Sequence, residues 1–124
     1  MILGVGIDVV HVERIRRWRK IEGLYERFFH PEELASALPR GEVGILSLAA
    51  RFAAKEAFFK ALGTGWARGV TWLDVEVRRE RKDPPAMLLY GEAERLSASK
   101  GVQTVHLSLS HTDHMAVATV ILEG

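Results

Sequence analysis

The sequence predicts an α+β fold, a single compact domain over residues 1–124 in which a small, mostly antiparallel sheet packs on a long central helix. Three observations predict it. The most strongly helical stretch, Glu42 to Leu62, precedes most of the strand-like segments. The segments beyond residue 69 are joined in hairpin fashion by short polar turns. No repeat, low-complexity tract or Gly/Ser/Pro-rich linker divides the chain.

Residues 2–8, ILGVGID, form an apolar run closed by an acid, which predicts a buried strand delivering Asp8 at its C-terminal end. A helix is expected from Val9 to about Glu22, capped by Asp8, because Val12, Ile15, Trp18 and Ile21 recur every three residues as an apolar stripe. Its other faces carry Arg14, Arg16, Arg17, Arg19 and Lys20. Pro31 in a first turn, followed by Glu32 and Glu33, marks a short helix to about Leu38, stopped by Pro39 and Gly41. Glu42 to Leu62 is rich in Ala, Leu, Phe and Lys, lacks proline and closes on Gly63, a typical helix stop. Val70–Val77 and Ala86–Tyr90 read as strands around a solvated link, Arg78 to Asp83, that runs into Pro84 and Pro85. Gly91 to Lys100 is a last helix ended by Gly101, and strands Val102–Leu109 and Met115–Leu122 flank the turn SHTDH. The expected total is four helices and five strands.

Composition excludes several classes. With 48% apolar and 27% charged residues and a net charge of +1, the chain is neither disordered nor basic enough to act as a nucleic-acid electrode over its whole surface. It has no cysteine, so disulfide scaffolds and thiolate zinc sites are excluded, and a reducing cytoplasm is the expected setting. The apolar N-terminal run lacks a basic leader and contains Asp8, so neither a signal peptide nor a spanning helix is expected.

On the long helix Glu56 and Lys60 are four residues apart and share a face, as do Arg51 and Lys55. Such a pair ordinarily supports a solvated helix. Here Phe52, Phe58 and Phe59 surround Glu56, so its charged side is expected to face a cleft or another subunit. Asp8 and Glu56 are two hard oxygen donors, a set that suits Mg²⁺ with water and phosphate oxygens completing the shell. His111 and His114 have a spacing compatible with zinc, but no third imidazole or thiolate is near, so turn polarity or contact of Ser110, His111 and Thr112 with a phosphate is the better reading. Gly63, Thr64 and Gly65 would let backbone approach a ligand closely, although they lack the length of a Walker A loop.

Three blocks, GVGIDVVHVERI at 4–15, RFAAKEAFFKALGTG at 51–65 and SLSHTDHMAVATVIL at 108–122, together resemble the holo-acyl-carrier-protein synthase family of 4'-phosphopantetheinyl transferases. The resemblance implies that family's fold and the transfer of the 4'-phosphopantetheine arm of coenzyme A to a serine of an apo acyl carrier protein. The products would be holo carrier and adenosine 3',5'-bisphosphate, in support of fatty acid biosynthesis. It implies Asp8 and Glu56 as Mg²⁺ ligands, Lys60 beside the leaving phosphate, and Lys60, Gly63, Thr64, Gly65, Ser110, His111 and Thr112 along the coenzyme A site. It also implies a homotrimer with sites at the subunit interfaces, and docking of the acidic carrier on Arg14 and Arg17. The larger transferases of the superfamily carry a third acid two positions after the aspartate. Val10 stands there, which places this chain with the compact type.

The chemistry agrees, since transfer from a pyrophosphate needs charge neutralised on both phosphates and a hydroxyl held in line. Glu56, or a water it orients, is the candidate to accept the serine proton. Two rivals use the same residues differently: a nucleic-acid module docked through the arginines, which lacks any recognisable recognition motif, and a Mg²⁺-dependent phosphohydrolase with water as nucleophile. No nucleic-acid or membrane partner is expected.

Overall fold

The structure, a computed structural model, describes residues 1–63, 69–79 and 83–124. Strand β1 (Ile2–His11) leads to helices α1 (Val12–Trp18), α2 (Leu24–Phe28), α3 (Pro31–Ala37) and α4 (Glu42–Leu62). Then follow β2 (Val75–Arg78), β3 (Ala86–Leu89), α5 (Gly91–Ser99), β4 (Thr104–His111) and β5 (Met115–Glu123). The described residues thus hold five α-helices, one more than expected. The strands form two antiparallel sheets, β1-β5-β4 and β2-β3.

The long helix matches its expected span, and Gly63 closes it in the left-handed conformation at φ 81°. Alternate residues of β5 (Ala116, Ala118, Val120 and Leu122) are buried against it. On β1 the approach is closer. A Cβ at Gly4 would stand 2.1 Å from the Ala61 carbonyl oxygen, and one at Gly6 would stand 1.9 Å from that of Ala57. Only glycine lets the strand lie directly on the helix backbone, and this contact sets the position of Asp8 relative to α4.

The N-terminal boundary differs from expectation. β1 continues through Val9 and Val10, which pair with Val117 and Ala116, and α1 begins at Val12 with His11 as its N-cap. Asp8 is therefore not a helix cap. Two β-branched residues extend the ladder because β5 offers a partner strand. Val12 and Ile15 are buried as predicted, whereas Ile21 lies beyond the helix and is exposed. The region expected as strand Val70–Val77 opens with a 3-10 turn, Trp72–Asp74, capped by Thr71, and the strand itself starts at Val75. Ser110 and His111 belong to β4 rather than to the turn.

Four buried charges stitch the helices together. Lys55 is fully buried and its ammonium donates to Glu33 Oε1 at 2.6 Å, to the Phe28 carbonyl at 2.9 Å and to the Trp72 carbonyl at 3.3 Å. The Glu33 carboxylate also accepts from the backbone N–H of Val77 (3.0 Å) and His30 (2.8 Å). Every donor and acceptor of this pair is used, the condition under which a buried ion pair is tolerated. Glu76, 2% exposed, accepts from Tyr90 Oη at 2.9 Å and from Arg78. Arg51 is the fourth of these charges.

The face of the sheet turned away from α4 is apolar and open. Leu3, Val5, Ile7 and Val9 on β1 are 41–59% exposed, next to half-buried Val117 and Ile121 on β5.

Candidate active site

Asp8 lies on β1 opposite Ala118, with its side chain 15% exposed. The glycines at 4 and 6 draw β1 onto α4, so Lys60 can reach across. Its ammonium donates to Asp8 Oδ1 at 2.9 Å and to the Ile7 carbonyl at 3.1 Å. The hydrogen bond to Asp8 holds the Lys60 ammonium above its ordinary pKa. Lys60 is thus bonded to Asp8 rather than to Glu56, its neighbour one turn back.

Glu56 is half-buried. Burial first, and the negative charge of Asp8 second, push its carboxyl above the usual range, while Arg14 and Lys60 oppose the shift. Two carboxylates that repel each other, flanked by two cations, form one electrostatic cluster. Among the described residues no third acid or imidazole joins them in a ready-made metal cage. Two hard carboxylates in mutual repulsion nonetheless fit Mg²⁺, which keeps several waters or phosphate oxygens.

Arg14 is exposed, with its guanidinium 5.1 Å from the Trp18 ring centroid and 5.3 Å from that of Phe52. Those rings belong to an aromatic cluster in which Trp18 stacks on Phe28 at 4.5 Å and Phe52 on Trp72 at 4.9 Å. Because Arg14 acts on the Glu56 carboxyl, it is electrically part of the acid cluster and not separate from it. Arg17 is freer, 76% exposed with one pairing at 3.7 Å to Glu13. Arg16 is tied to Glu13 and Glu42.

A cleft of about 660 Å³ opens elsewhere on α4, lined by Ser36, Arg40, Ser47, Arg51, Arg79 and His111, with Asp83 as the only acid among its described lining residues. At 100° per residue, Ser47 stands roughly 180° and Arg51 about 140° around the helix from Glu56. The cleft and the acids therefore occupy opposite sides of α4. Of the expected coenzyme A contacts, His111 lines this cleft. Ser110 is exposed on β4, and Gly63 is exposed at the helix end one turn after Lys60. The Thr112 hydroxyl closes the hairpin turn by accepting from the N–H of His114 (3.2 Å) and Met115 (3.1 Å). Thr64 and Gly65 lie outside the described residues. Sequence reasoning missed Arg40, Arg51 and Arg79. A signal was present at Arg51 and Lys55, two like charges on one face of an apolar helix that need anions from elsewhere.

Residues 4–120 match the family model of the 4'-phosphopantetheinyl transferase superfamily. The chain belongs to that superfamily. A holo-[acyl-carrier-protein] synthase of Treponema denticola is 47% identical over 124 residues, the whole of both chains. The crystal structure of holo-[acyl-carrier-protein] synthase from Neisseria meningitidis superposes with a TM-score of 0.86 at 35% identity, covering all of both chains. A Bacillus anthracis holo-(acyl-carrier-protein) synthase in complex with CoA (3',5'-ADP) gives a TM-score of 0.79 at 36% identity, over 98% of this chain and 96% of that one. Membership in the superfamily accounts for the α+β architecture found here.

Proposed function

We propose that this chain is a transferase that moves the 4'-phosphopantetheine arm of coenzyme A to a serine of an apo acyl carrier protein. The products are holo carrier and adenosine 3',5'-bisphosphate, and the activity serves fatty acid biosynthesis. The observation that carries the proposal is the Asp8–Lys60–Glu56 cluster on β1 and α4 of a superfamily member whose relatives bear that activity in their names.

Asp8 and Glu56 would hold Mg²⁺, which when bound supplies neutralising charge for the diphosphate. Lys60, kept protonated by Asp8, would stabilise the departing phosphate oxygen or give it a proton. Glu56, or a water it orients, would take the serine proton as the hydroxyl attacks. Gly63, Thr64, Gly65, Ser110, His111 and Thr112 are proposed along the coenzyme A path, and the arginine-lined cleft would receive phosphate groups of that substrate. A cytoplasmic setting, which the cysteine-free sequence fits, is part of the same proposal.

The opposite placement of acids and cleft supports an oligomeric site. A molecule bridging both within one chain would have to pass around a helix about 10 Å across. A second copy could bring its cleft to the first copy's acids, and the open apolar face of β1 and β5 supplies a surface for that association. We therefore favour a homotrimer with shared sites. The acidic carrier would dock on Arg14 and Arg17 beside the aromatic cluster.

The test is a mass spectrum of apo carrier protein incubated with coenzyme A and Mg²⁺. The expected result is one added phosphopantetheine per carrier, lost in Asp8→Ala and Glu56→Ala while circular dichroism shows both variants folded. Hydrolysis of coenzyme A without carrier modification would establish the phosphohydrolase instead. Near-wild-type transfer by either variant at saturating Mg²⁺ would overturn the acid assignment. Light scattering near three times 13.9 kDa is expected, and an active monomer would refute the shared site.

A further inference from the structure

Arg51 is 4% exposed, yet it has no carboxylate partner among the described ion pairs. Its Nη1 donates to the Glu33 carbonyl at 3.4 Å and its Nη2 to Ser36 Oγ at 3.3 Å, both uncharged acceptors. The nearby Glu33 carboxylate is committed to Lys55, Val77 and His30. A guanidinium carries five N–H donors, so the others are left for a ligand. A nearly buried cation with no carboxylate in hydrogen-bond contact is costly, and an anion entering the cleft relieves that cost.

Ser36 touches both arginines at this end of the cleft. Its hydroxyl accepts from Arg51, and its backbone carbonyl accepts from Arg40 Nε at 3.1 Å. The carbonyl survives any substitution, but the hydroxyl does not. A smaller cavity of about 140 Å³ shares Ser36, Arg51 and Arg79 with the cleft and is also lined by Glu32, Glu76 and Arg78. An Arg51 released from Ser36 has room to turn into this second cavity, toward the acids Glu32 and Glu76 and away from the cleft.

We propose that Ser36 is a positioning residue for coenzyme A: its hydroxyl fixes the Arg51 guanidinium so that Arg51 and Arg40 together grip a phosphate of the substrate. The inference rests on the reading of the cleft given under Proposed function. Ser36 is exposed and sits in the last turn of α3, so its replacement leaves the packing of the core intact.

The experiment compares Ser36→Ala, Ser36→Thr, Arg51→Gln and the double variant Ser36→Ala/Arg51→Gln. Steady-state kinetics with each substrate varied gives the KM and kcat values. Titration calorimetry with adenosine 3',5'-bisphosphate gives an affinity that does not depend on turnover. Loss of this one long hydrogen bond, worth about 1 kcal/mol, should raise the coenzyme A KM and the bisphosphate Kd of Ser36→Ala by about 5- to 10-fold, while kcat and the carrier KM hold. Ser36→Thr, which keeps the hydroxyl, should restore both values. In the Arg51→Gln background Ser36→Ala should add nothing. Wild-type affinity in Ser36→Ala, or failure of threonine to rescue, overturns the proposal. A Ser36→Ala effect that multiplies with that of Arg51→Gln also overturns it, because Ser36 would then meet the ligand itself. If Arg51→Gln leaves the bisphosphate Kd unchanged, the phosphate reading of the cleft fails and the positioning role falls with it. If Arg51→Gln weakens binding and Ser36→Ala does not, the positioning role alone fails.

Discussion

Replacing Gly6 with alanine would drive a methyl group into the backbone of α4. The new Cβ would stand 1.9 Å from the Ala57 carbonyl oxygen and 2.9 Å from both the Ala57 carbonyl carbon and the Ala61 nitrogen. A close C···O contact is about 3.3 Å, so strand and helix must separate locally by roughly 1.4 Å. Neither side yields by a rotamer change, because every atom struck is main chain. Overpacking of this kind costs about 1–3 kcal/mol or more, and a rigid backbone clash belongs at the upper end. For a domain of this size that corresponds to a fall in Tm of roughly 10 °C. Activity should suffer beyond the lost stability. The Lys60–Asp8 and Lys60–Ile7 bonds, now 2.9 and 3.1 Å, would be stretched past hydrogen-bonding range by the same displacement. The assay is a circular-dichroism melt at fixed protein concentration, paired with transfer to apo carrier well below the variant's Tm. Gly101→Ala is the control, since its φ of 82° brings a conformational cost but no atom lies within 4 Å of the new methyl. A Gly6→Ala protein that melts within about 2 °C of wild type and keeps its transfer rate would refute the reasoning.

Lys55→Met should destabilise the protein by about 3–5 kcal/mol, because it strands the buried Glu33 carboxylate, and Lys55→Met/Glu33→Gln should recover part of that loss; denaturant titration measures both, and equal stability of all three proteins would discount the ion pair. Glu56→Gln should melt higher than wild type at neutral pH without divalent cation while losing transfer activity. The sign follows from the raised pKa of Glu56, since its ionised form costs stability above the folded-state pKa and the cost vanishes below the ordinary value of about 4.5. The gap in Tm should therefore close in acid, and a lower Tm for the variant at pH 7 would contradict it. Arg17→Glu should raise the carrier KM several-fold with the coenzyme A KM unchanged, and added salt should shrink the difference. Arg14→Gln should disturb both substrates because Arg14 also acts on Glu56, and a carrier-only effect would separate it from the acid cluster.

The helix from Glu42 to Leu62 was legible in full because a proline-free, Ala- and Leu-rich run and a terminal glycine are local signals. The end of β1 was not. An acid followed by a stripe at spacing three looks like a capped helix, and the partner that keeps Val9 and Val10 in a strand is supplied by β5, more than 100 residues away. Helix α2, five residues long, has too few turns for periodicity, and it is held by Tyr25 Oη donating to the Ile15 carbonyl at 2.8 Å and by the Trp18–Phe28 stack. The family resemblance, not local pattern, groups Asp8, Glu56 and Lys60, and which acid Lys60 meets depends on how closely two glycines bring strand to helix. Arg51 was visible as a charge, whereas its want of a directly bonded carboxylate depends on Lys55 engaging Glu33 between α4 and α3. Local pattern shows where the charged side chains lie along each element, and long-range pairing decides which of them remain available.

The proposed division of function between opposite sides of α4 bears on inheritance as well as on catalysis. In the proposed trimer no chain owns a complete site, since each lends acids to one neighbour and a cleft to the other. A lesion in the acids leaves the same chain's cleft serviceable, and a lesion in the cleft leaves its acids serviceable. Two alleles, each inactive alone, would complement when expressed together, and random assembly would leave roughly a quarter of the interfaces intact on both sides. Two lesions in the same half could not complement at all.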